Sequence, residues 1–190
     1  GIMATASING KHLIDPLFEP VWAEINKLAL PVLIHPTAPF GSKEAEFGIE
    51  RILMPGAGFM FDTTIGIARM AVDGFFERFQ DLKIIASHGG GYIPYVNGRI
   101  DMFFKVETLN KLKIDKLPSE YFSRIYYDAV LYDPGALALC IDIAGPEKVL
   151  FGTDFPMPCD VPKLFEMIET RPTDEIKAIK GGNALKLFGL

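Results

Sequence analysis

The sequence predicts an α/β fold built on a parallel β-sheet, and three observations support this class. Five short apolar stretches recur along the 190 residues, and a longer helical or loop segment follows each of them. Hydrophobic residues make up 49% of the chain, enough for a sizeable buried core. No linker or repeat divides the chain. Strands that alternate with helices at this spacing form βαβ units with parallel strands. We therefore expect a single domain over residues 1–190.

The predicted strands are short, and one of them reads as buried on both faces. They are IMATAS (2–7), PVLIH (31–35), KIIASH (83–88), RIYYDA (124–129) and KVLFGTD (148–154). Ile84, Ile85 and Ala86 follow one another without polar alternation, which is typical of a strand covered on both sides by other elements.

Helices are predicted between the strands from the residues that begin and end them. We expect helices over 15–29, 62–79, 133–145 and, broken at Gly181–Gly182, 173–189. Asp15, Asp62 and Asp133 stand where an N-cap is needed, and Gly145 is a suitable stop.

Two further segments are expected to lie outside these regular elements. Residues 37–61 are long, contain glycine and are polar at first, so they predict an active-site loop. Residues 105–123 carry four lysines and predict a solvated face.

Composition excludes several classes of partner. A net charge of −5 and a pI near 5.2 argue against nucleic acid or an anionic membrane as the main partner. No apolar run approaches the roughly 20 residues that span a bilayer, and the first residues do not resemble a signal peptide. Two cysteines, Cys140 and Cys159, make a poor disulfide framework, so we expect a cytoplasmic protein.

Three predicted strand ends carry a polar residue that core packing does not explain: His35, His88 and Asp154. In parallel α/β folds, ligands bind beyond the carboxyl ends of the strands. Imidazole nitrogen and carboxylate oxygen are natural ligands of zinc and similar divalent ions. Each residue alone has an ordinary alternative, since a strand-end histidine can be a hydrogen-bonded structural residue and Asp154 can cap a turn. Their joint occurrence favours a site.

Residues near His88 extend this hypothesis. The glycines of 89–91 are expected to leave room for a substrate or metal beside His88 and to adopt positive φ. Arg99, on a helix that follows, is either a fork for a carboxylate or a partner of a surface ion pair with Asp101. Asp128, at the end of its strand, is either a partner of the site residues or a strand-end cap, and the sequence does not separate the two.

In its motifs the chain resembles the amidohydrolase-related (amidohydrolase 2) family, in the branch of metal-dependent decarboxylases and hydrolases. The matching pieces are LPVLIHP (30–36), FERFQDLKIIASHGGGYIPYVNGRID (76–101), YYDAVLYDPGAL (126–137), KVLFGTDFPMP (148–158) and GGNALKLFGL (181–190). They occur in the family's order, and the HGGG-to-GR block and GTDFP are the most diagnostic.

The resemblance implies a fold and a role for each site residue. The fold would be a distorted (β/α)8 barrel of the TIM type. His35 and Asp154 would bind a divalent metal, zinc in the first place with manganese as the alternative, and His88 would be the general acid/base. For a hydrolytic reaction, Asp154 would also accept a proton from water. Arg99 would reach the substrate carboxylate of a neighbouring subunit, which implies a homodimer.

The chain also departs from the family's pattern. Family members carry a His-x-His or Glu-x-His metal pair on their first strand, and this sequence has neither. A closed barrel has eight strands and typically about 250 residues. We therefore expect the C-terminal portion of a barrel, with about five of eight βα units and weakened metal affinity.

Three functional hypotheses follow. The first is a metal-dependent, non-oxidative decarboxylase of a small carboxylated and hydroxylated substrate. The second is a hydrolase of a lactone or amide with the same site. The third is an inactive partial barrel.

Overall fold

The computed structural model describes residues 1–39, 41–42, 52–106, 114 and 116–190. Five strands form one sheet: β1 (Ile2–Thr5), β4 (Pro31–His35), β5 (Lys83–Ala86), β6 (Tyr126–Asp128) and β7 (Val149–Leu150). A small antiparallel hairpin of β2 (Ser7–Ile8) and β3 (Lys11–His12) follows the first strand. The predicted strand positions are confirmed; β4 has the predicted bounds, and the other four strands end earlier than predicted.

The order of strands in the sheet identifies the architecture. The order is β1-β4-β5-β6-β7, and every neighbouring pair is parallel. Each strand is thus added beside the previous strand of the sheet, and the order never reverses as it does in doubly wound sheets. Winding in one direction is the pattern of a (β/α) barrel. The predicted parallel α/β fold is therefore confirmed, with five strands.

Nine α-helices lie in the described part of the chain. They are α1 (Glu19–Lys27), α2 (Phe59–Val72), α3 (Phe75–Arg78), α4 (Ile93–Phe104), α5 (Pro118–Phe122), α6 (Pro134–Ala144), α7 (Val161–Ile168), α8 (Thr173–Lys177) and α9 (Asn183–Phe188). Short 3-10 turns at Pro16–Phe18, His88–Gly90 and Pro146–Lys148, and π turns at Met54–Gly58 and Ala178–Gly182, adjoin them. None of the helices described is long and apolar enough to span a membrane.

The two faces of the sheet pack against different partners. Side chains on the outer face are buried against the helices; they are Val32, Ile34, Ile84, Ala86, Tyr127 and Val149. On the inner face, Ile85 and Leu150 pack with Leu187 of α9 in a separate small cluster. Alternation along each strand therefore divides the apolar residues between a helix-covered face and a concave face.

Several predicted helix boundaries are confirmed by hydrogen bonds. The Asp15 carboxylate accepts a hydrogen bond from Leu17 N at 3.0 Å, and the Asp133 carboxylate accepts one from Ala136 N at 2.9 Å. Gly145 ends α6 with φ of 82°, a conformation that favours glycine. These signals were readable because each depends on residues within one helical turn.

Other predictions near the second helix were wrong. Asp62 is not an N-cap, because the helix begins earlier, through the π turn at Met54–Gly58 with Pro55 in its first turn. Helical structure therefore replaces the last part of the predicted 37–61 loop, whose residues 40 and 43–51 lie outside the described residues. Gly74, with φ of 71°, divides the predicted 62–79 helix into α2 and α3.

Helix α7 and the β2–β3 hairpin had not been predicted. In the predicted 105–123 face, residues 107–113 and 115 lie outside the described residues, and α5 occupies Pro118–Phe122.

Candidate metal centre and active site

The sheet brings the three predicted site residues together at the carboxyl ends of its strands. His35 is the last residue of β4, His88 lies two residues beyond β5, and Asp154 lies four residues beyond β7. One ligand atom from each lies within 4.8 Å of the others. Of the histidine, cysteine and carboxylate side chains among the described residues, these three form the group that lies close enough together to share an ion.

Distances within this cluster suit a shared cation. Nε2 of His35 lies 3.0 Å from Oδ1 of Asp154, and Nε2 of His88 lies 3.4 Å from Oδ2 of the same carboxylate. Two donors that each bind one ion at about 2.1 Å and a tetrahedral angle lie about 3.4 Å apart. Both measured spacings are therefore close to those of ligands that share one divalent ion.

Hydrogen bonding of His35 gives a second reason to expect a cation. Its Nδ1 lies 3.1 Å from the Pro36 carbonyl oxygen, while its Nε2 faces the Asp154 carboxylate. A neutral imidazole has one N–H, so in that form one of its nitrogens directs a lone pair at an oxygen. A cation shared with Asp154 removes this conflict, because the Pro36 carbonyl then accepts from Nδ1–H and Nε2 becomes a ligand.

His88 is held in an unusual environment. Its side chain is buried, with 7% of the residue exposed, and its ring centroid lies 5.3 Å from that of His35. Within the described part of the chain its Nδ1 is buried without a hydrogen-bond partner. Buried polar atoms are normally paired, so this unpaired nitrogen marks His88 as unusual among buried side chains.

Backbone strain marks the same place. Among the described residues, five that are not glycine have positive φ: Asn9, Ala29, His88, Tyr132 and Asp154. The last three line one cavity. L-residues in this region cost roughly 1–2 kcal/mol each, and such strain concentrates at functional sites. Tyr132 was missed by sequence reasoning, because no local signal predicts a left-handed tyrosine.

The three glycines after His88 are needed mainly for the conformation of the turn, and less to leave room for a ligand. Gly89, Gly90 and Gly91 have φ of 59°, 74° and 63°. A Cβ on Gly89 would lie 2.4 Å from Leu131, and one on Gly90 would lie 2.6 Å from the Tyr127 ring. The expectation that all three leave room for a substrate is therefore wrong for Gly89 and Gly90. Gly91 does line the cavity.

Asp128 takes both of the roles that the sequence left open. Its Oδ1 accepts hydrogen bonds from Val130 N and from Gly89 N, each at 3.1 Å. The first caps the end of β6, and the second joins that end to the turn of His88. Dense surroundings raise the pKa of the Asp128 carboxyl above its usual range, while nearby His88 and the backbone N–H groups act in the opposite direction.

A second buried carboxylate supports the strand end that carries His35. Asp62, with 4% of its surface exposed, accepts hydrogen bonds from Thr37 N at 2.8 Å and from Thr37 Oγ1 at 3.2 Å. The backbone after His35 is thus tied to α2. Asp62 was misread as an N-cap because a carboxylate near a helix start carries the same local signal in both cases.

The cluster opens into a cavity of about 800 Å³ with mainly apolar walls. His88 and Asp154 lie in its lining, and the other lining residues are Ile52, Pro55, Gly56, Phe59, Met60, Gly91, Val130, Leu131, Tyr132, Met157 and Pro158. His35, Asp128 and Asp154 line a second cavity of about 490 Å³ on the concave face. The first has the volume and the mainly apolar lining that are typical of sites for small organic ligands, with His88 and Asp154 among its polar groups.

Arg99 does not line the cavity of His88 and Asp154. It is exposed on α4, where its guanidinium carbon lies 5.0 Å from the centroid of the Phe103 ring. The groove that it lines shares no residue with the cavity of His88 and Asp154. A role for Arg99 in substrate binding therefore stays a prediction.

Fold and site together define a barrel-type α/β domain with a candidate metal centre at the carboxyl ends of its strands. The family model for amidohydrolases matches residues 5–190, so the chain belongs to the amidohydrolase family. The family resemblance and the TIM-barrel type of fold are thus confirmed.

Several relatives of known activity are decarboxylases. The chain is 32% identical over 195 residues to a 2-amino-3-carboxymuconate-6-semialdehyde decarboxylase of Dictyostelium discoideum, with 100% of this chain and 53% of that protein covered. The crystal structure of the 5-carboxyvanillate decarboxylase LigW from Sphingomonas paucimobilis matches with a TM-score of 0.88 and 31% identity. That match covers 100% of this chain and 58% of the other.

A third relative was solved with a metal. A dihydroxybenzoic acid decarboxylase from Polaromonas sp. JS666, with bound manganese and the inhibitor 2-nitroresorcinol, matches with a TM-score of 0.82 and 26% identity. The match covers 95% of this chain and 56% of that decarboxylase. The chain thus spans a little over half the length of these relatives.

Proposed function

We propose that this chain provides metal-binding and acid/base residues of a metal-dependent, non-oxidative decarboxylase for small hydroxylated aromatic carboxylates. The observation that carries the proposal is the cluster of His35, His88 and Asp154 beside a largely apolar cavity of about 800 Å³. Support comes from relatives that decarboxylate such acids, among them 6-methylsalicylic acid and γ-resorcylate decarboxylases.

Each residue has a role that its position permits. His35 and Asp154 would hold the metal, which supplies, when bound, Lewis-acid stabilisation of negative charge on a substrate oxygen. His88 would donate a proton to the ring carbon that bears the carboxylate. The carbon–carbon bond then breaks, CO2 leaves with the carboxylate oxygens, and the bonding electron pair returns to the ring. His88 regains its proton from water. The apolar walls would hold the aromatic ring in place.

For the metal itself we propose zinc or manganese. The His35 imidazole and the Asp154 carboxylate suit both ions, since imidazole favours zinc and carboxylate oxygen also accepts manganese. Metal content of the purified chain, measured by mass spectrometry after expression in minimal medium with equal supplies of both, tests this choice. Loss of either ion on treatment with a chelator, followed by reloading, identifies which one restores activity.

We further propose that the chain works in the cytoplasm as a homodimer, with Arg99 acting across the subunit interface. Its exposed position, outside its own chain's cavity, supports action in trans. A complementation experiment tests this arrangement. Arg99→Ala and Asp154→Ala chains, each inactive alone, should regain part of the activity when mixed, because one site in each mixed dimer is intact. If Arg99 acts within its own chain, mixing the two variants restores no activity.

A direct assay tests the reaction. The metal-loaded chain is incubated with a panel of hydroxybenzoates and lactones, and CO2 release is measured. We expect CO2 from at least one hydroxybenzoate, and loss of that activity in His88→Ala and Asp154→Ala but not in His12→Ala. Opening of a lactone without CO2 release would instead identify a hydrolase. Stoichiometric metal without turnover of any substrate would identify an inactive metal-binding domain.

A further inference from the structure

The backbone of His88 has to be held in a conformation that it would not choose by itself. Its φ is 52°, and the three glycines that follow also have positive φ. A left-handed conformation costs a histidine roughly 1–2 kcal/mol, so surrounding contacts must select it. This conformation gives the turn that presents the buried imidazole to Asp154, 3.4 Å away.

Two other elements form hydrogen-bond contacts with Gly89 of this turn. Its N–H donates to Oδ1 of Asp128 at 3.1 Å, and its carbonyl oxygen lies 3.4 Å from Sγ of Cys140 on α6. The hydrogen bond to the carboxylate is stronger than the one from the thiol, because a hydrogen bond to a charged group is about twice as strong as one between neutral groups. Of the two contacts, the one from Asp128 therefore contributes more.

The same oxygen of Asp128 also accepts from Val130 N at 3.1 Å. One atom thus links the end of β6 with the turn after β5, and fixes the two neighbouring loops relative to each other. A strand-end cap alone could be made by an uncharged side chain. A carboxylate placed in dense surroundings costs free energy that a local cap does not require.

We propose that Asp128 is a positioning residue, which holds His88 in the left-handed turn that aims its imidazole at Asp154 and at the substrate. Its effect on catalysis rests on the proposed function, whereas its effect on the turn does not. Removal of Asp128 should disturb the placement of His88 and leave metal binding by His35 and Asp154 largely intact, because these residues belong to β4 and to the loop after β7.

The first test uses NMR of the ¹⁵N-labelled chain, with Asp128→Ala, Asp128→Asn and the matched control Asp142→Ala, an exposed aspartate on α6. In Asp128→Ala we expect hydrogen exchange of the Gly89 amide to rise at least tenfold and the His88 ring signals to shift, with the His35 ring unchanged. Asp128→Asn keeps an acceptor of the same shape but loses the charge. Its Gly89 amide proton should move upfield, since the hydrogen bond weakens, while the His88 ring stays near its wild-type position.

These outcomes decide the proposal even if Asp128→Ala does not fold. Unchanged Gly89 amide signals in Asp128→Asn would overturn it, and so would unchanged His88 signals in a folded Asp128→Ala. Calorimetric titration with Mn²⁺ should give affinities within about threefold of wild type for both variants. A loss of affinity as large as that of Asp154→Ala would mean that Asp128 acts on the metal instead.

Kinetics separate this proposal from the proposed function. On a substrate that the wild type decarboxylates, Asp128→Ala should lower kcat by 10- to 100-fold with little change in KM, and Asp128→Asn should recover most of that loss. Wild-type kcat in Asp128→Ala would overturn the positioning role. If the wild type decarboxylates nothing, the proposed function fails, and the NMR experiment still tests Asp128.

Discussion

Nε2 of His35 lies 3.0 Å from Oδ1 of Asp154, although 119 residues separate them in the sequence. Their strands, β4 and β7, are three steps apart in the sheet, which corresponds to about 14 Å in a flat sheet. The curl of a barrel-type sheet and the position of Asp154, four residues beyond β7, together bring the two side chains into contact. Curvature of this kind is what a barrel needs, and it contributes to assembling the candidate metal centre.

We expect both residues of this pair to be needed for metal binding. His35→Gln and Asp154→Asn keep size and polarity but remove an imidazole nitrogen or a negative charge. Each should lower the affinity for Zn²⁺ or Mn²⁺ by at least tenfold in calorimetric titration. His12→Gln is the matched control for loss of a histidine and should bind like wild type. Wild-type affinity in Asp154→Asn would show that the ion binds elsewhere.

Two glycines of neighbouring segments should respond to alanine in opposite ways. Gly90 has φ of 74°, and its Cβ would lie 2.6 Å from Tyr127, so Gly90→Ala combines backbone strain with overpacking and should cost about 2–4 kcal/mol of unfolding free energy. Gly98 lies inside α4 with nothing within 4 Å of a Cβ. Gly98→Ala should stabilise by up to about 1 kcal/mol. Urea denaturation measures both, and equal stability of the two variants would contradict the described turn.

The two cysteines should differ sharply in reactivity. Cys140 is 1% exposed, and burial raises the pKa of its thiol to about 12, so almost no thiolate is available at pH 8.5. Cys159 is half-buried beside the cavity loop. Native chain treated with iodoacetamide at pH 8.5 should gain one adduct, mapped by peptide mass spectrometry to Cys159. In urea both residues should react. Fast labelling of Cys140 in the native chain would mean that α6 opens readily.

Stability should depend on pH through Glu77. The hydroxyl of Tyr121 donates to its carboxylate, and Nζ of Lys116 lies 3.3 Å away; these contacts hold the pKa of Glu77 below its usual range. A lowered pKa in the folded state stabilises above the ordinary value, and that contribution is lost as the pH falls through the folded pKa. Tyr121→Phe should therefore destabilise the chain more at pH 7 than at pH 3.

Urea denaturation at the two pH values measures this difference. Tyr95→Phe, at an exposed position of α4, is the matched control and should have little effect at either pH. An equal loss in Tyr121→Phe at pH 7 and pH 3 would show that the hydroxyl does not interact with ionised Glu77.

How far the sequence predicts this molecule depends on the range of the interaction involved. Strand positions, the Asp15 and Asp133 caps and the stop at Gly145 were predicted correctly, because apolar runs and capping side chains act within a few residues. The prediction for Asp62 was wrong for a related reason, since a carboxylate near a helix start can serve its own helix or a distant loop. The choice depends on where Thr37 lies.

By itself, the sequence determined the class of fold and the chemistry available, since His35, His88 and Asp154 could be picked out as strand-end donors. Only the tertiary structure decided that these donors meet, that Gly89 and Gly90 accommodate Leu131 and Tyr127, and that Arg99 lines a different groove from the cavity of His88 and Asp154. The physical reason is that sheet curvature and the packing of distant elements are collective. They set distances between side chains more than a hundred residues apart, and no local pattern encodes those distances.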